Sequence, residues 1–369
     1  GKKGSSVANV CLSTQLLGGS RSTVEVITLN KTKIESLDLN ITALAFNKSL
    51  TDVDGIISSG FLWNNEDAET TKWRPQGVAT FHTSGRRFAL VSWYGRKDEG
   101  YSNRGGRISF VDISDMHHNT TSKYFYTHVL LVDENNCTLP NIHVGGIEQQ
   151  NGILYVADSR KGQQAILEFD IAGGLFELPP EMIDSMFGYR YVLRQSSSFH
   201  SPTKPSFISY DIDNHKFIVG TYARCGRKVG IHVDSEKCFN QPKNRLVWFN
   251  KSDVALNSTI AKNSDSCWHY FSEMQGAVSA KVGNSTIVWV SSSYGPIADG
   301  HLHVVNASTS FPGEYGNVDI ALDEVPIFRF PPGLEDLHIE QTEYRRYIWM
   351  VTEFGTRRVF ATPLDNFLP

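Results

Sequence analysis

Short apolar and alternating runs recur along the whole chain, separated by Gly, Asn, Asp and Ser. Alternation with a period of two predicts half-buried β-strands, and short continuous apolar runs between turn residues predict fully buried ones. One two-strand unit recurs five times, with a turn between its halves. The five copies span residues 75–95, 144–158, 205–222, 274–295 and 334–355.

The second strands of these copies end at equivalent places, and the successive ends are 64, 64, 72 and 60 residues apart. The ends are Tyr94, Asp158, Tyr222, Tyr294 and Phe354. Third strands follow at 107–113 and 165–170, and fourth strands at 126–132 and 189–193. Four short antiparallel strands repeated radially are typical of a β-propeller blade. The pattern predicts an all-β chain forming a single β-propeller of five four-stranded blades, with six blades left open.

The fifth repeat ends after its third strand, residues 358–362, so an earlier segment must supply its outer strand. Residues 23–29 are the predicted closing strand, because such pairing would remove an exposed sheet edge. We expect one domain over residues 1–369, with residues 1–70 providing the closing strand and 71–369 the five repeats. Residues 35–70 are interpreted as a long insertion or a degenerate sixth blade. Helix is expected only as a turn or two near residues 180–186.

Composition and charge exclude several classes of protein. The chain is 40% hydrophobic, 11% aromatic and 20% charged, which indicates a globular protein with a substantial core. Its net charge of −4, without a basic cluster, argues against a nucleic-acid partner. No apolar run approaches the roughly 18 residues that a membrane span needs, so none is predicted.

The sequence predicts a secreted protein, or one of the secretory-pathway lumen, that carries N-linked glycans. Nine Asn-x-Ser/Thr sequons exceed chance expectation roughly threefold. Asn306 directly follows an apolar strand and is expected to be the least accessible of them. The sequons are at Asn30, Asn40, Asn47, Asn119, Asn136, Asn250, Asn257, Asn284 and Asn306.

Five cysteines fit the same compartment. Cys225 and Cys238 flank a short segment, and a disulfide between them would stabilise the fold by about 3 kcal/mol through loop closure. The pairing of Cys11, Cys137 and Cys267 stays open. No Cys-x-x-Cys or His-rich metal spacing occurs.

The second repeat, residues 146–170, resembles an NHL or gluconolactonase-type propeller repeat. Gluconolactonase-like enzymes hold a divalent metal in the channel, using carboxylates and an Asn from several inner strands. Most of those hard oxygen ligands are replaced in this chain, so neither a metal nor another cofactor is predicted. The equivalent positions carry Gln76, Gly145, Ser206, Gln275 and Glu335 with Asp336.

The chain is also similar in kind to secreted fungal propellers, among them the hetero-Diels–Alderases of tropolone-sesquiterpenoid pathways. This resemblance depends on the glycosylated context, the NHL-like repeats without a metal set and the aromatic-rich channel rim. It implies a pericyclase that joins an oxidised heterodiene to a terpene alkene without a cofactor.

Inner strands of a propeller begin at one mouth of the channel, so polar residues at the five starts should converge there. Gln76 and Gln275 could donate to a substrate carbonyl or bond neighbouring blades. His143 could act as a base or be structural. Glu335 and Asp336 are adjacent, so only one should face the channel. The predicted ring contains Arg74, Gln76, His143, Glu148, Lys204, Gln275, Glu335, Asp336 and His338.

Aromatic residues either pack between blades or line the channel, where they would suit an apolar or planar guest. They are Trp73, Trp93, Tyr94, Tyr222, Trp268, Tyr294 and Phe354. The predicted catalytic set is Gln76, His143, Gln275 and Glu335. The predicted substrate-binding set is Arg74, Trp93, Tyr94, Glu148, Tyr222, Trp268, Tyr294 and Phe354.

Three functions follow as hypotheses. The first is a cofactor-independent cyclase whose amides and His143 polarise a carbonyl while aromatic walls hold the partner. The second is a glycan hydrolase or lyase that uses Glu148 with Glu335 or Asp336. The third is a non-catalytic glycan- or protein-binding propeller. Because the second-strand ends differ between repeats, one central site is favoured over five peripheral ones.

Overall fold

The computed structural model describes residues 30–51, 56–83, 85–116, 123–135, 137–139, 141–160, 164–222, 246–254, 273–307 and 327–368. Several predictions concern residues outside these ranges and stay predictions. They are the Cys225–Cys238 disulfide, Cys11, Cys267, Trp268, and the sequons at Asn119, Asn136 and Asn257. Residues 23–29 also lie outside these ranges, but the outer place predicted for them beside residues 358–362 is occupied by residues 57–62.

Strands dominate the described chain. The first seven are β1 (Asn30–Lys31), β2 (Ile41–Ser49), β3 (Ile57–Leu62), β4 (Trp73–Thr83), β5 (Arg86–Gly95), β6 (Gly106–Asp112) and β7 (Lys123–Val132). The next nine are β8 (Val144–Gln150), β9 (Ile153–Asp158), β10 (Ala165–Asp170), β11 (Leu175–Glu177), β12 (Tyr191–Arg194), β13 (Ser197–His200), β14 (Phe207–Asp211), β15 (Lys216–Gly220) and β16 (Leu246–Phe249). The last seven are β17 (Met274–Val282), β18 (Ser285–Ser292), β19 (Gly300–Ala307), β20 (Ile327–Phe330), β21 (Leu334–Gln341), β22 (Arg346–Thr352) and β23 (Arg358–Pro363).

Helices in the described chain are short: α1 (Asn65–Glu69), α2 (Ile171–Gly174), α3 (Pro180–Ile183) and α4 (Lys251–Val254). The turn expected near residues 180–186 is α3. With at most five residues each, none of these helices is long and apolar enough to cross a membrane.

The strands form a β-propeller, as predicted from the repeats. Antiparallel sheets β4–β7, β8–β9–β10–β13, β14–β15–β16, β17–β20 and β21–β22–β23–β3 each begin on an inner strand. These inner strands contact one another in the cyclic order β4, β8, β14, β17, β21 and back to β4. The core fills the spaces between sheets with fully buried side chains such as Trp93, Trp289 and Trp349.

The segment 35–70 is not an insertion. β3 pairs antiparallel with β23, with Phe61 opposite Val359, and thereby supplies the outer strand that the fifth repeat lacks. β2 then pairs with both β3 and β7, so it joins the last sheet to the first. Gly60 permits this approach, because a Cβ there would lie 2.1 Å from the carbonyl oxygen of Val359.

The predicted fourth strand of the second repeat is also corrected. The run at 189–193 becomes β12, which pairs in parallel with β7, and β13 takes the edge beside β10. Tyr191, Val192 and Leu193 are all buried, as befits a strand covered on both faces. The mostly exposed residues of β13 suit an outer edge.

Serine hydroxyls tie neighbouring sheets together. Ser92 Oγ accepts from the amide of Gly77 at 2.8 Å and donates to the carbonyl of Gly145 at 2.9 Å, which links the first two sheets. Ser209 and Ser291 make the corresponding link between later sheets, each donating at 2.5 Å to a carbonyl of the next inner strand.

Replacing Ser92 with alanine should therefore lower the free energy of unfolding by about 1–3 kcal/mol, since two buried backbone groups lose their partner. Urea unfolding measures the change. Ser198→Ala, on the exposed face of β13, is the matched control and should leave the midpoint nearly unchanged. Equal midpoints for the two variants would contradict the linking role.

Candidate functional site

The channel is filled by polar side chains below its mouth. Asp336 reaches across from β21 and accepts from the amides of Ile147, at 2.9 Å, and Val78, at 3.4 Å. Burial raises the pKa of Asp336 well above its ordinary value, and the amide donors oppose that shift. Its Oδ1 has no hydrogen-bond partner among the described residues. Asp336 is thus an interior residue.

The next layer holds two residues that were expected at the mouth. His338 Nε2 lies 2.9 Å from Thr80 Oγ1, and its Nδ1 lies 3.2 Å from Glu148 Oε2. Glu148 also accepts from the amide of Tyr210 at 3.0 Å. Glu148 and His338 are 1% and 5% exposed and do not line the cavity at the mouth, so Glu148 is not placed to act on a substrate as the predicted acid pair requires.

A cavity of about 900 Å³ opens at the mouth. Of the predicted residues, it is lined by Gln76, Tyr94, His143, Lys204, Tyr222, Gln275 and Phe354. Further lining residues that the sequence did not single out are Lys97, Ser102, Asn141, Ser159, Arg160, Ser293 and Glu353.

Other predicted residues lie elsewhere. Trp93 is fully buried and donates from Nε1 to Ser109 Oγ at 2.8 Å, so it packs between sheets rather than lining the cavity. Tyr294 does not line it either, and its ring packs against His301 at 5.2 Å. Arg74 stands behind the wall, with its guanidinium 5.2 Å from the ring of Phe354.

The floor of the cavity is a pair of carboxyl groups. Glu335 and Glu353 hydrogen-bond each other, and burial raises the pKa of both. Tyr94 donates to Glu353 Oε1 at 3.3 Å, and Arg74 Nε lies 3.7 Å from the same oxygen. Gln275 Nε2 donates to Glu335 Oε1 at 3.3 Å. Two buried carboxyls this close favour one shared proton over two negative charges.

Both predicted amides bind this floor. Gln76 and Gln275 contact Glu335, from β4 and β17 respectively, while their side chains also face the cavity. Glu335, rather than Asp336, is therefore the acidic residue of β21 that lies next to the cavity. Sequence inspection missed Glu353, although it directly precedes Phe354 at one of the equivalent strand ends.

His143 lies on the wall formed by the second sheet. Its ring packs against that of Tyr94, with centroids 4.0 Å apart. Burial, together with the positive charge of Lys204, lowers the pKa of His143 to about 4. His143 is consequently uncharged at neutral pH.

A cluster of Ser109, His128 and Asp67 is sealed in the core of the first sheet. His128 Nδ1 lies 2.9 Å from Ser109 Oγ, and its Nε2 lies 2.9 Å from Asp67 Oδ2. Burial and the charge of Arg107 lower the pKa of His128 to about 4. Ser109 is fully buried, so this cluster is structural.

The donor set at the floor does not fit a hard divalent cation. Amide nitrogens and a proton-sharing acid pair occupy the positions where carboxylates and an Asn would be required. Among the described residues, no group of three or more His, Cys, Asp or Glu side chains has an arrangement that would hold a metal ion.

The acid pair predicts a pH-dependent stability. A carboxyl whose pKa rises on folding stabilises the folded state at low pH, and that contribution is lost as the pH rises through the folded-state pKa. As the pH rises above the ordinary carboxyl range of about 4–5, the melting temperature of the unaltered protein should therefore fall relative to that of Glu335→Gln. Glu181→Gln, on an exposed residue of α3, is the control. Parallel curves for all three proteins would refute a shared proton.

No protein-family model matches the sequence, and neither does any curated protein. Among solved structures, the GH43_1 enzyme from Xanthomonas citri is 10% identical, with 80% of this chain and 88% of that chain covered and a TM-score of 0.43. The native arabinanase of Bacillus subtilis is 12% identical, covering 79% and 94%, with a TM-score of 0.38. An exo-1,5-alpha-L-arabinanase from a bovine ruminal metagenomic library is 11% identical, covering 79% and 92%, with a TM-score of 0.40.

Proposed function

We propose that this protein hydrolyses a glycan or glycoside in the channel-mouth cavity, with Glu353 as the proton donor. The observation that carries the proposal is the pair Glu335 and Glu353, which holds a proton above the ordinary carboxyl pKa at the floor of a solvent-open cavity. A carboxyl that stays protonated near neutral pH is suited to act as a general acid.

The pair acts as one unit. In most glycosidases two independent carboxyls stand roughly 5 Å or more apart, whereas these two hydrogen-bond each other. Glu353 lines the cavity and gives its proton to the leaving oxygen, while the negative charge that remains on the pair stabilises the developing oxocarbenium ion. Water then adds to the sugar carbon and returns its proton to Glu353.

The lining suits a sugar. Amides, hydroxyls and ammonium groups provide hydrogen bonds, and Tyr94, Tyr222 and Phe354 provide apolar ring surface. Tyr94 also fixes the acid, since its hydroxyl donates to Glu353 and burial raises its own pKa, which keeps it a donor.

Glu353→Gln should lower kcat by about 10²–10⁴-fold, because the amide cannot give up a proton. Arabinan and xylotriose, with a panel of nitrophenyl glycosides, are the first substrates to assay. Glu181→Gln should retain full activity. Unchanged kcat in Glu353→Gln on any glycan that the protein cleaves would remove Glu353 from the mechanism.

A second proposal, a cofactor-independent cycloaddition, is supported by a different observation. Gln275 lines the cavity and has one amide N–H left beyond its bond to Glu335, and the three rings on the cavity walls could hold an apolar alkene beside a heterodiene. Holding two reactants in register accounts for about 7–11 kcal/mol of a barrier. Gln275 would polarise the carbonyl of the heterodiene.

Under this second proposal, the protein accelerates adduct formation between a quinone methide and a terpene and fixes its stereochemistry. Gln275→Leu should lower that rate by about 10²–10³-fold, whereas Ser102→Ala should not. Chiral chromatography of the adduct measures both the rate of its formation and its stereochemistry. An adduct formed at the same rate and with the same stereochemistry without the protein would exclude the cyclase.

We also propose that the protein is a secreted glycoprotein. In support, every sequon asparagine within the described residues is exposed, Asn306 included, so each is open to modification. The six are Asn30, Asn40, Asn47, Asn250, Asn284 and Asn306.

A further inference from the structure

A serine and a histidine lie side by side on the cavity wall of the second sheet. His143 directly precedes β8 and Ser159 directly follows β9, and the last pair between these strands is Val144 with Asp158. The amide of Ser159 donates to the carbonyl of His143 at 3.2 Å, which extends the ladder by one residue. The pairing of the two strands thus brings the two side chains together.

The contact joins the atoms that nucleophile activation needs. Ser159 Oγ lies 2.7 Å from His143 Nδ1, and both residues line the cavity. The hydroxyl also lies 3.0 Å from the carbonyl oxygen of His143. Tyr94 packs on the imidazole and restricts its rotation. Asp158 is engaged by the guanidinium of Arg160.

The buried pair of Ser109 and His128 provides an internal comparison. It joins the same two atom types at 2.9 Å, but Ser109 is fully buried and its Oγ also accepts from Trp93. The Ser Oγ to His Nδ1 contact is therefore similar in the two pairs, and the difference is solvent access. A reagent in the cavity can reach Ser159 and cannot reach Ser109.

We propose that Ser159 is a nucleophile, with His143 as its general base, and that it hydrolyses an ester of a polar, sugar-like alcohol bound in the cavity. This activity goes beyond glycoside cleavage and shares only the cavity with it. A nucleophile next to a base, both open to a ligand, is the arrangement that acyl transfer requires.

The reaction balances with water as the second substrate. Ser159 Oγ attacks the acyl carbon and passes its proton to His143 Nδ1. The bond to the alcohol oxygen then breaks, and that oxygen takes the proton from His143. Water, deprotonated by His143, then attacks the acyl carbon. The bond to Ser159 Oγ breaks, Ser159 takes the proton back from His143, and the acyl group leaves as a carboxylic acid. Lys204, which lines the same cavity and acts electrostatically on His143, provides a positive charge for the oxyanion.

The test uses the full chain and a fluorophosphonate probe, which forms a stable bond with activated serines. Peptide mapping by mass spectrometry should find the probe on Ser159 and not on Ser109. Ser159→Ala should abolish the label, and His143→Ala should slow labelling at least about 100-fold. Ser198→Ala, on an exposed serine of β13 outside the cavity lining, is the matched control and should label normally.

Parallel assays separate this proposal from glycoside cleavage. Ser159→Ala should lose both probe labelling and hydrolysis of nitrophenyl acetate, and Ser198→Ala, on the exposed face of β13, should keep both. Glycoside hydrolysis is measured on its own substrates, so its failure leaves the ester and probe results standing. Thermal unfolding of each variant establishes that it is folded. Absence of label on Ser159, or a rate that His143→Ala leaves unchanged in a folded protein, would overturn the proposal whatever the outcome of the glycoside assays.

Discussion

The fold depends on the close approach of its inner strands around the channel axis. Gly77, Gly146 and Gly276 lie on three of these strands, and an added Cβ at any of them would meet atoms of a neighbouring strand within 2.8 Å. Register irregularities near the starts of β4, β8, β17 and β21 turn the chain inward at the same level. Asp336 can then reach the amides of two other sheets.

The same crowding explains the chemistry at the mouth. Glu335 directly precedes Asp336, so the approach that inserts Asp336 also withdraws Glu335 from water and brings it against Glu353. Neither carboxyl can be hydrated as it would be on the surface, and one proton is retained between them. The protonation of this acid pair is therefore a result of how the strands pack, and part of the stability of the fold depends on it.

The sequence was sufficient for the repeated part of the fold and insufficient for the parts that occur once. The recurring two-strand unit predicts the inner and second strands because their apolar pattern repeats. β3 was missed because Ile57–Leu62 contains two serines and a glycine, and its burial depends on a strand some 300 residues away. For β12 the strand itself was predicted but its neighbours were not. Its apolar run suits a strand covered on both faces, between β7 and β11, better than the outer edge of the second sheet.

The site was partly predictable for the same reason. Because Gln76, His143 and Gln275 occupy equivalent positions in their repeats, the sequence predicted that they meet at one cavity. It did not predict how far below the channel mouth each of the other ring residues lies. Glu148 and His338 are two residues further along their strands than Gly146 and Asp336, which moves them one layer inward. Glu353 was missed because its role depends on a partner in a different strand, and Ser159 because its neighbour is fixed by strand register.

Asp336 and the polar layer around it close the channel below the cavity, which limits how a ligand can enter and leave. In a channel open at both ends, a long polymer could pass through, and product could leave at one end while new substrate enters at the other. A pocket with a closed floor has a single entrance. It can therefore bind the end of a polymer chain or a small molecule, and the bound product must leave before the next ligand binds. Under the proposed hydrolysis, turnover would be governed by how quickly the product leaves past the rings of Tyr94, Tyr222 and Phe354.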